Sequence, residues 1–333
     1  DYMTEARHYT PESAAEICKI DAKAIRQLAN LYQTISPAAI SVGIGPERNQ
    51  NGGAGVRAAF ALPALAGKFG IPGGGIVGAT EHAFPKNPDR LQRPELLDRP
   101  TRTINILDVP HYILNAPKGQ AIKGLFIYNH NPLAVHPDQN RMKQALQDDN
   151  LFTVGCDIEM NDSMAFADIL LPASTHFEHD DLFAAYGQKY LQRAEAAIPV
   201  VGESLPNTEI FRRLAKRFSF NDLAFLATDS QLMDDAINSD DNRMQGVSAS
   251  ELSLEKPLEM QVNGDDSILF ANIFPATDSG KIELRSEQLA QLYQQPVPTY
   301  IALDKDFPLR LITPSSPKRI NATFGGVAEN SKI

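Results

Sequence analysis

The stretch from Gly124 to Asp157 restricts the possible folds of this chain more than any other. Gly124-Leu125-Phe126-Ile127-Tyr128 is an apolar run that breaks into Asn129-His130-Asn131-Pro132. Leu151-Phe152-Thr153-Val154-Gly155-Cys156 is a second such run and ends on Asp157. Short aliphatic and aromatic runs of this kind suit strands buried on both faces of a parallel sheet. Between them, Pro137 to Leu146 places Met142, Ala145 and Leu146 at i, i+3 and i+4, the spacing of one helix face. The pattern is β-α-β with small polar residues at the carboxyl ends of both strands, where open α/β sheets bind ligands. A pocket is expected there.

Similar units flank this one. Thr10-Pro11-Glu12 is a helix start, and a second start at Asp21 precedes Ala24, Ile25, Leu28, Leu31 and Tyr32 on one face. Pro37 ends that helix, and Ala38 to Val42 reads as a strand. A glycine-rich polar loop from Gly43 to Gly53 follows, then an apolar helix from about Ala54 to Phe69 and the turn Pro72-Gly73-Gly74-Gly75. Glycines between strand and helix let backbone amides approach a phosphate. The loop matches neither the dinucleotide fingerprint nor a Walker A loop, so a long turn with purely conformational glycines is the competing reading. Residues 80–102 read as a surface excursion. Ala167 to Pro172 reads as a further buried strand, 176–195 as irregular, and Asn207 to Phe218 as an amphipathic helix through Ile210, Phe211 and Leu214. Residues 219–265 are acidic and helix-prone. Phe274 to Leu284 reads as a turn followed by a strand, and Pro308 to Thr313 as a strand opening a new domain.

The 333 residues leave room for two or three domains. A net charge of -10 disfavours a surface that tracks nucleic-acid phosphates, and no uncharged apolar run approaches a membrane span. Cys18 and Cys156 form no Cys-x-x-Cys motif, and inert core packing is expected for both. The start Asp1-Tyr2-Met3-Thr4 carries no signal peptide, and together with the abrupt carboxyl end it reads as a piece of a longer protein. Cytoplasmic residence is the expectation. His176, Glu178, His179, Asp180 and Asp181 are numerous enough to hold a metal, yet they suit a solvated loop equally well. No serine sits on a nucleophile elbow, and neither a catalytic residue nor a metal ligand is assigned.

In order along the chain stand Gly-x-Gly-x-x-Arg-x-x-Asn-Gly-Gly at Gly43 to Gly53, Leu65-Ala66-Gly67 with Pro72-Gly73-Gly74-Gly75, and Asn131-Pro132-Leu133. Then come Asp157 with Asp162-Ser163-Met164-Ala165-Phe166-Ala167-Asp168-Ile169-Leu170-Leu171-Pro172-Ala173, Glu178-His179, Asn207-Thr208-Glu209 and Ser279-Gly280-Lys281-Ile282-Glu283-Leu284. With these motifs the sequence resembles the dimethyl sulfoxide reductase family of molybdenum enzymes across almost its whole length. The resemblance implies an α/β fold of Rossmann-like, mostly parallel sheets with flanking helices. It implies one partial lobe over 1–119, a second over 120–200, a helical connecting region over 201–306 and a truncated final domain over 307–333.

It also implies two molybdopterin guanine dinucleotides, molybdenum or tungsten, and a small-molecule substrate. Asn129, Asn131 and Asp157 fall at dinucleotide-contacting loops, with Asp157 a partner for a ribose or guanine donor. Ser163 and Ser174 supply hydroxyl contacts, Asn207 stands near the nucleobase, and Gly45 and Arg48 face the other dinucleotide or its pterin end. Bland readings stand beside these: Asp157 as a turn cap, Asn207 as a helix N-cap, and Asp168 holding the fold through hydrogen bonds. A 4Fe-4S cluster, the metal-ligating side chain and an electron-transfer subunit are expected outside this chain, which should be inactive alone and open to self-association through sheet edges. Formate-oxidising relatives carry arginine after the glycine-rich turn, where this chain has Ile76-Val77-Gly78-Ala79-Thr80, which argues against formate. The rival readings are the central domain of a thiamine-diphosphate enzyme and a non-catalytic binding module of the same fold.

Overall fold

Side-chain oxygens set the first helix starts. The computed structural model describes residues 2–78, 84–185, 188–261, 268–303, 308, 309, 311, 312, 314 and 316–327. Helix α1 spans Tyr2–Ala6 and α2 spans Pro11–Cys18. Thr10 Oγ1 accepts from the Ser13 N–H to open α2, and Asp21 accepts from the Lys23 N–H to open α3, Ala22–Thr34. Both starts fall where the caps place them. The apolar face of α3 is covered only in part: Ile25 and Tyr32 are half-buried, whereas Leu28 is 68% and Leu31 52% exposed. Cys18, expected in the core, is exposed at the last position of α2.

Strand β1 (Ala39–Ser41) pairs in parallel with β2 (Gly75–Val77), Ala39 lying opposite Gly75 and Ser41 opposite Val77. Helix α4 runs from Gly52 to Leu65, starting before Ala54 and stopping short of Phe69. A 3-10 turn over Gly45–Arg48 occupies the glycine-rich loop. Lys68 is 4% exposed, and its Nζ donates to the carbonyls of Gln33 and Ile35 at the end of α3. An ammonium on carbonyls that a helix leaves open is favourable for charge and hydrogen bonding alike. These elements belong to one compact unit of residues 1–83, 185–189 and 260–312, which also contains the helix Glu287–Tyr293. No strand forms at Ile282-Glu283-Leu284, contrary to the alternation there. Ile282 instead lines an apolar cavity of about 350 Å³ with Phe60, Phe69, Phe270 and Phe274.

The second unit comprises residues 84–184, 190–259 and 313–333. It begins with α5 (Pro88–Gln92) and α6 (Val109–Leu114), followed by β3 (Gly124–Tyr128), α7 (Pro132–Val135), α8 (Gln139–Leu146), β4 (Phe152–Asp157) and β5 (Ile169–Pro172). The sheet order is β3-β4-β5, all parallel, with Tyr128 opposite Cys156 and Asp157 opposite Pro172. The crossover helix starts at Gln139 and not at Pro137, because Asp138 takes a left-handed φ of 55° and caps it through the Arg141 N–H. Met142, Ala145 and Leu146 pack with Ile113, Ile127, Leu133, Leu151 and Met164 as one core. Each large apolar side chain buried there contributes roughly 1.5–3 kcal/mol.

Burial on both faces is confined to the middle of the sheet. Phe152, Ile169 and Leu170 are exposed, whereas Thr153, Gly155 and Cys156 of the central strand are buried. The segment read as irregular contains a hairpin, β6 (Asp181–Phe183) against β7 (Tyr190–Ala194), and β8 (Leu258–Glu259) adds to β7. Leu191, 1% exposed, anchors β7. Helices α9 (Asn207–Arg217) and α10 (Asp229–Ala236) follow in the same unit. The described residues of 308–313 form no strand; Arg310 and Thr313, like residues 80–83 of the expected excursion, lie outside the described residues.

An added Cβ at Gly155 would overlap Met164 Sδ and press on Ala167. Met164 is itself 1% exposed, so it has little space to yield. Gly155→Ala is expected to destabilise the protein by about 1–3 kcal/mol, read from denaturant unfolding.

Candidate functional site

The carboxyl ends of β3 and β4 turn over polar residues that hold one another. Asn129 leaves β3 with φ 52°, a left-handed conformation that asparagine tolerates better than most residues. Its Oδ1 accepts from Asn207 Nδ2 at 2.8 Å, and Asn207 Oδ1 lies 3.5 Å from the Cys156 thiol that donates to it. Asn207 is therefore a tie between the two strand ends; Pro206 occupies the cap position that the sequence offered to it. Burial, reinforced by the charge of Asp157, pushes the Cys156 thiol up, so it stays protonated and unreactive.

A second network spans the same edge. Ser163 Oγ donates to Asn131 Oδ1 at 2.6 Å and accepts from the Leu133 N–H at 3.0 Å. Asn161 Oδ1 accepts from the N–H groups of Ser163 and Met164, an Asx-type turn, and its Nδ2 donates to Asp157 at 2.7 Å. Asp157 also accepts from the Ile158 N–H at 2.7 Å. Asn131 and Asp157 are thus joined through Ser163 and Asn161 along one rim. Ser163 itself is 0% exposed, so the expected hydroxyl contact to a ligand is unavailable in this arrangement. Asp168 Oδ2 accepts from the Thr153 N–H at 2.6 Å, a bond that fastens β5 to β4.

The loop between β3 and α8 is closed by a histidine pair absent from the sequence reading. His130 Nε2 and His136 Nε2 lie 2.8 Å apart. Burial lowers the pKa of both rings, and for His136 the neighbouring His130 adds to the effect. Both are therefore neutral near pH 7, with one N–H shared between them.

Ser174 is 9% exposed, and its Oγ stands 3.2 Å from His179 Nδ1. Glu178 is buried and accepts four hydrogen bonds: from the Thr175 N–H and O–H, the Val201 N–H and the Ser204 O–H. Foremost the Thr175 hydroxyl, then the Thr175 and Val201 amides, lower its pKa to about 2 against the opposing effect of burial. Asp180 accepts from the Ala196 N–H, and His179 Nε2 lies 3.9 Å from Asp181. Glu178 and Asp180 are each taken up by loop amides, and His179 lies between Ser174 and Asp181. Among the described residues no three such groups gather around one point.

In the other unit, Gly45 and Arg48 both lie exposed on the glycine-rich loop. An added Cβ at Gly43, Gly45 or Gly53 would meet nothing within 4 Å, whereas one at Gly52 would overlap the Pro46 carbonyl. Packing explains Gly52 and leaves the other three without a steric reason. Asn51 Nδ2 donates to the Ile301 carbonyl and Asn51 Oδ1 accepts from the Ile301 N–H, both at 2.8 Å, which pins the start of α4.

The depressed Glu178 pKa stabilises the folded state above the ordinary glutamate range, and that contribution is lost as pH falls from about 4.5 toward 2. Glu178→Gln is expected to be less stable than the wild type at pH 7, with the difference shrinking by pH 3. Urea unfolding at the two pH values checks this.

Comparison with known proteins places this geometry in a family. The family model described as molybdopterin oxidoreductase matches residues 8–217. The chain is 34% identical over 330 residues to the probable oxidoreductase YoaE of Bacillus subtilis (strain 168), covering 98% of this chain and 48% of YoaE. It is 30% identical over 240 residues to the trimethylamine-N-oxide reductase of Vibrio vulnificus (strain YJ016), covering 63% of this chain and 29% of that enzyme. The chain thus spans about half the length of YoaE and less of the reductase. Among solved structures, acetylene hydratase from Pelobacter acetylenicus is similar with a TM-score of 0.66 at 20% identity, over 89% of this chain and 45% of that one, a likeness of fold. By sequence over most of its length, the chain belongs to the molybdopterin oxidoreductase family, whose cofactor is a molybdopterin carrying molybdenum or tungsten.

Proposed function

We propose that this chain supplies cofactor-binding loops to an oxidoreductase that uses molybdopterin guanine dinucleotide and acts on a small substrate at molybdenum or tungsten. The observation that carries the reading is the continuous rim Asn131–Ser163–Asn161–Asp157, with Asn129 and Asn207 beside it. The donor set fits the group. Phosphate oxygens only accept, and the Nδ2 groups of Asn129 and Asn131 bond no other described residue. Ribose hydroxyls and the guanine N–H edge donate, and among the described residues each Asp157 oxygen accepts a single hydrogen bond, leaving lone pairs for a ligand. Ser174, which follows β5 beside Asp157, and Asn207, tied to Asn129 at the end of β3, flank the rim as further contacts.

In the other unit, Gly45 and Arg48 serve the second dinucleotide or its pterin end. The three glycines without a steric role allow a ligand to approach the backbone closely, and Arg48 adds a cation for phosphate. When bound, the pterin-held metal supplies the electron chemistry; these loops bind and orient its nucleotide tails. The electron partner, an iron-sulfur cluster and the residues that select substrate lie outside this chain in the proposal, so the chain alone turns over no substrate. Membership of the family replaces the thiamine-diphosphate alternative. Among the described residues no helix is long and apolar enough to cross a membrane.

The test is guanine nucleotide released on denaturing the full-length protein, with molybdenum and tungsten measured alongside. Asp157→Ala is expected to lower retained nucleotide about tenfold, equivalent to ~1.4 kcal/mol. Retention equal to the wild type would overturn the assignment of this rim.

A further inference from the structure

We infer that Ser163 is a positioning residue that sets the polarity of Asn131, holding its side-chain carbonyl inward and turning its amide outward as the donor of the β3 rim. The orientation follows from the hydrogen bonds of one buried hydroxyl. Ser163 is 0% exposed, and its oxygen already accepts from the Leu133 N–H at 3.0 Å. The single hydroxyl proton needs an acceptor, because a buried donor without one costs about 1–3 kcal/mol. Asn131 Oδ1 at 2.6 Å meets that need within the ordinary range for O–H···O bonds. With the amide reversed, Nδ2 would donate to Oγ and the hydroxyl proton would have no acceptor in a site closed to water.

The backbone keeps both partners in place. The Ser163 N–H is held by Asn161 Oδ1 at 3.0 Å, and the Asn131 carbonyl accepts from the Ala134 and Val135 N–H groups at 3.1 and 3.2 Å. Asn131 is half-buried, and its Nδ2 bonds no other described residue, so the free donor faces outward. The neighbouring strand end carries the opposite polarity, the acceptor Asp157. A ligand on this rim is thereby oriented, with acceptor-only phosphate toward Asn131 and donor-bearing sugar or base toward Asp157. The identity of the ligand rests on the reading in the preceding section; the orientation of the amide does not.

Asn131→Asp and Asn131→Ala separate polarity from structure. Aspartate still offers an oxygen to Ser163 but replaces the outward donor by an anionic acceptor. In the full-length protein, Asn131→Asp is expected to retain at most about a tenth of the wild-type guanine nucleotide, and less than Asn131→Ala, at an unchanged melting temperature. Ser163→Ala should lower retention several-fold, and Ser163→Ala with Asn131→Ala should lose no more than Asn131→Ala alone, since the serine acts through the asparagine. Asn131→Asp retaining as much as Asn131→Ala, or losses that multiply in the double variant, would overturn the proposal. If Ser163→Ala does not accumulate, the two Asn131 variants decide it. A wild-type protein that releases no guanine nucleotide would refute the nucleotide reading instead. Polarity is then read in cofactor-free full-length protein by solvent exchange of the Asn131 Nδ2 protons: unprotected exchange agrees with it, protected exchange overturns it.

Discussion

Parallel pairing of β4 with strands on both sides is the constraint on which the site depends. Parallel neighbours point the same way, so β3, β4 and β5 all deliver their carboxyl ends to one edge. That pairing also demands a crossover, which α8 provides while burying Met142, Ala145 and Leu146 in the core. Gly155 lets Met164 lie directly against the central strand, and the residue before Met164 is Ser163. Core packing and rim chemistry are consequently coupled across a single peptide bond.

Hydrogen bonds between side chains and loop amides organise the polar rim of this unit. Ser163, Asn161 and Glu178 each carry several hydrogen bonds, mostly to backbone amides of the loops they shape. Buried polar groups are tolerated when every capacity is met, and they then hold one loop conformation against others. The sidedness of the rim follows from that. At the rim the Ser163 hydroxyl and the Asn131 side-chain carbonyl are consumed by the fold, and what remains outward is a donor on one strand end and an acceptor on the next.

Legibility in the residues tracks how local each feature is. The helix starts at Thr10 and Asp21 and the strands around Ile127 and Val154 were readable, because caps and apolar runs act over a few positions. The hairpin at Asp181 and Tyr190 was not, since its strands are short and only Leu191 is firmly buried. Ser279 to Leu284 looked like a strand but pairs with none of the described residues, and a strand exists only through a partner. Asn131, Asp157 and Asn207 were singled out from motif order; Asn131 follows β3, Asp157 ends the neighbouring β4, and Asn207 opens α9 and ties to Asn129. Asn161 and the His130–His136 pair went unnoticed, although Asn161-Asp162-Ser163 carries the composition of an Asx turn.

By itself, the sequence determined the β-α-β grammar, the family motifs and the kind of atoms available at each strand end. Only tertiary structure decided which of those atoms face outward. Ser163 and Asn131 are 32 residues apart along the chain, and nothing local says which serine buries its hydroxyl or which amide turns outward. The physical reason is that a hydrogen bond is directional and a buried one must be satisfied. Polarity at the rim is therefore settled by what lies beneath it, which exists only once the strands have paired.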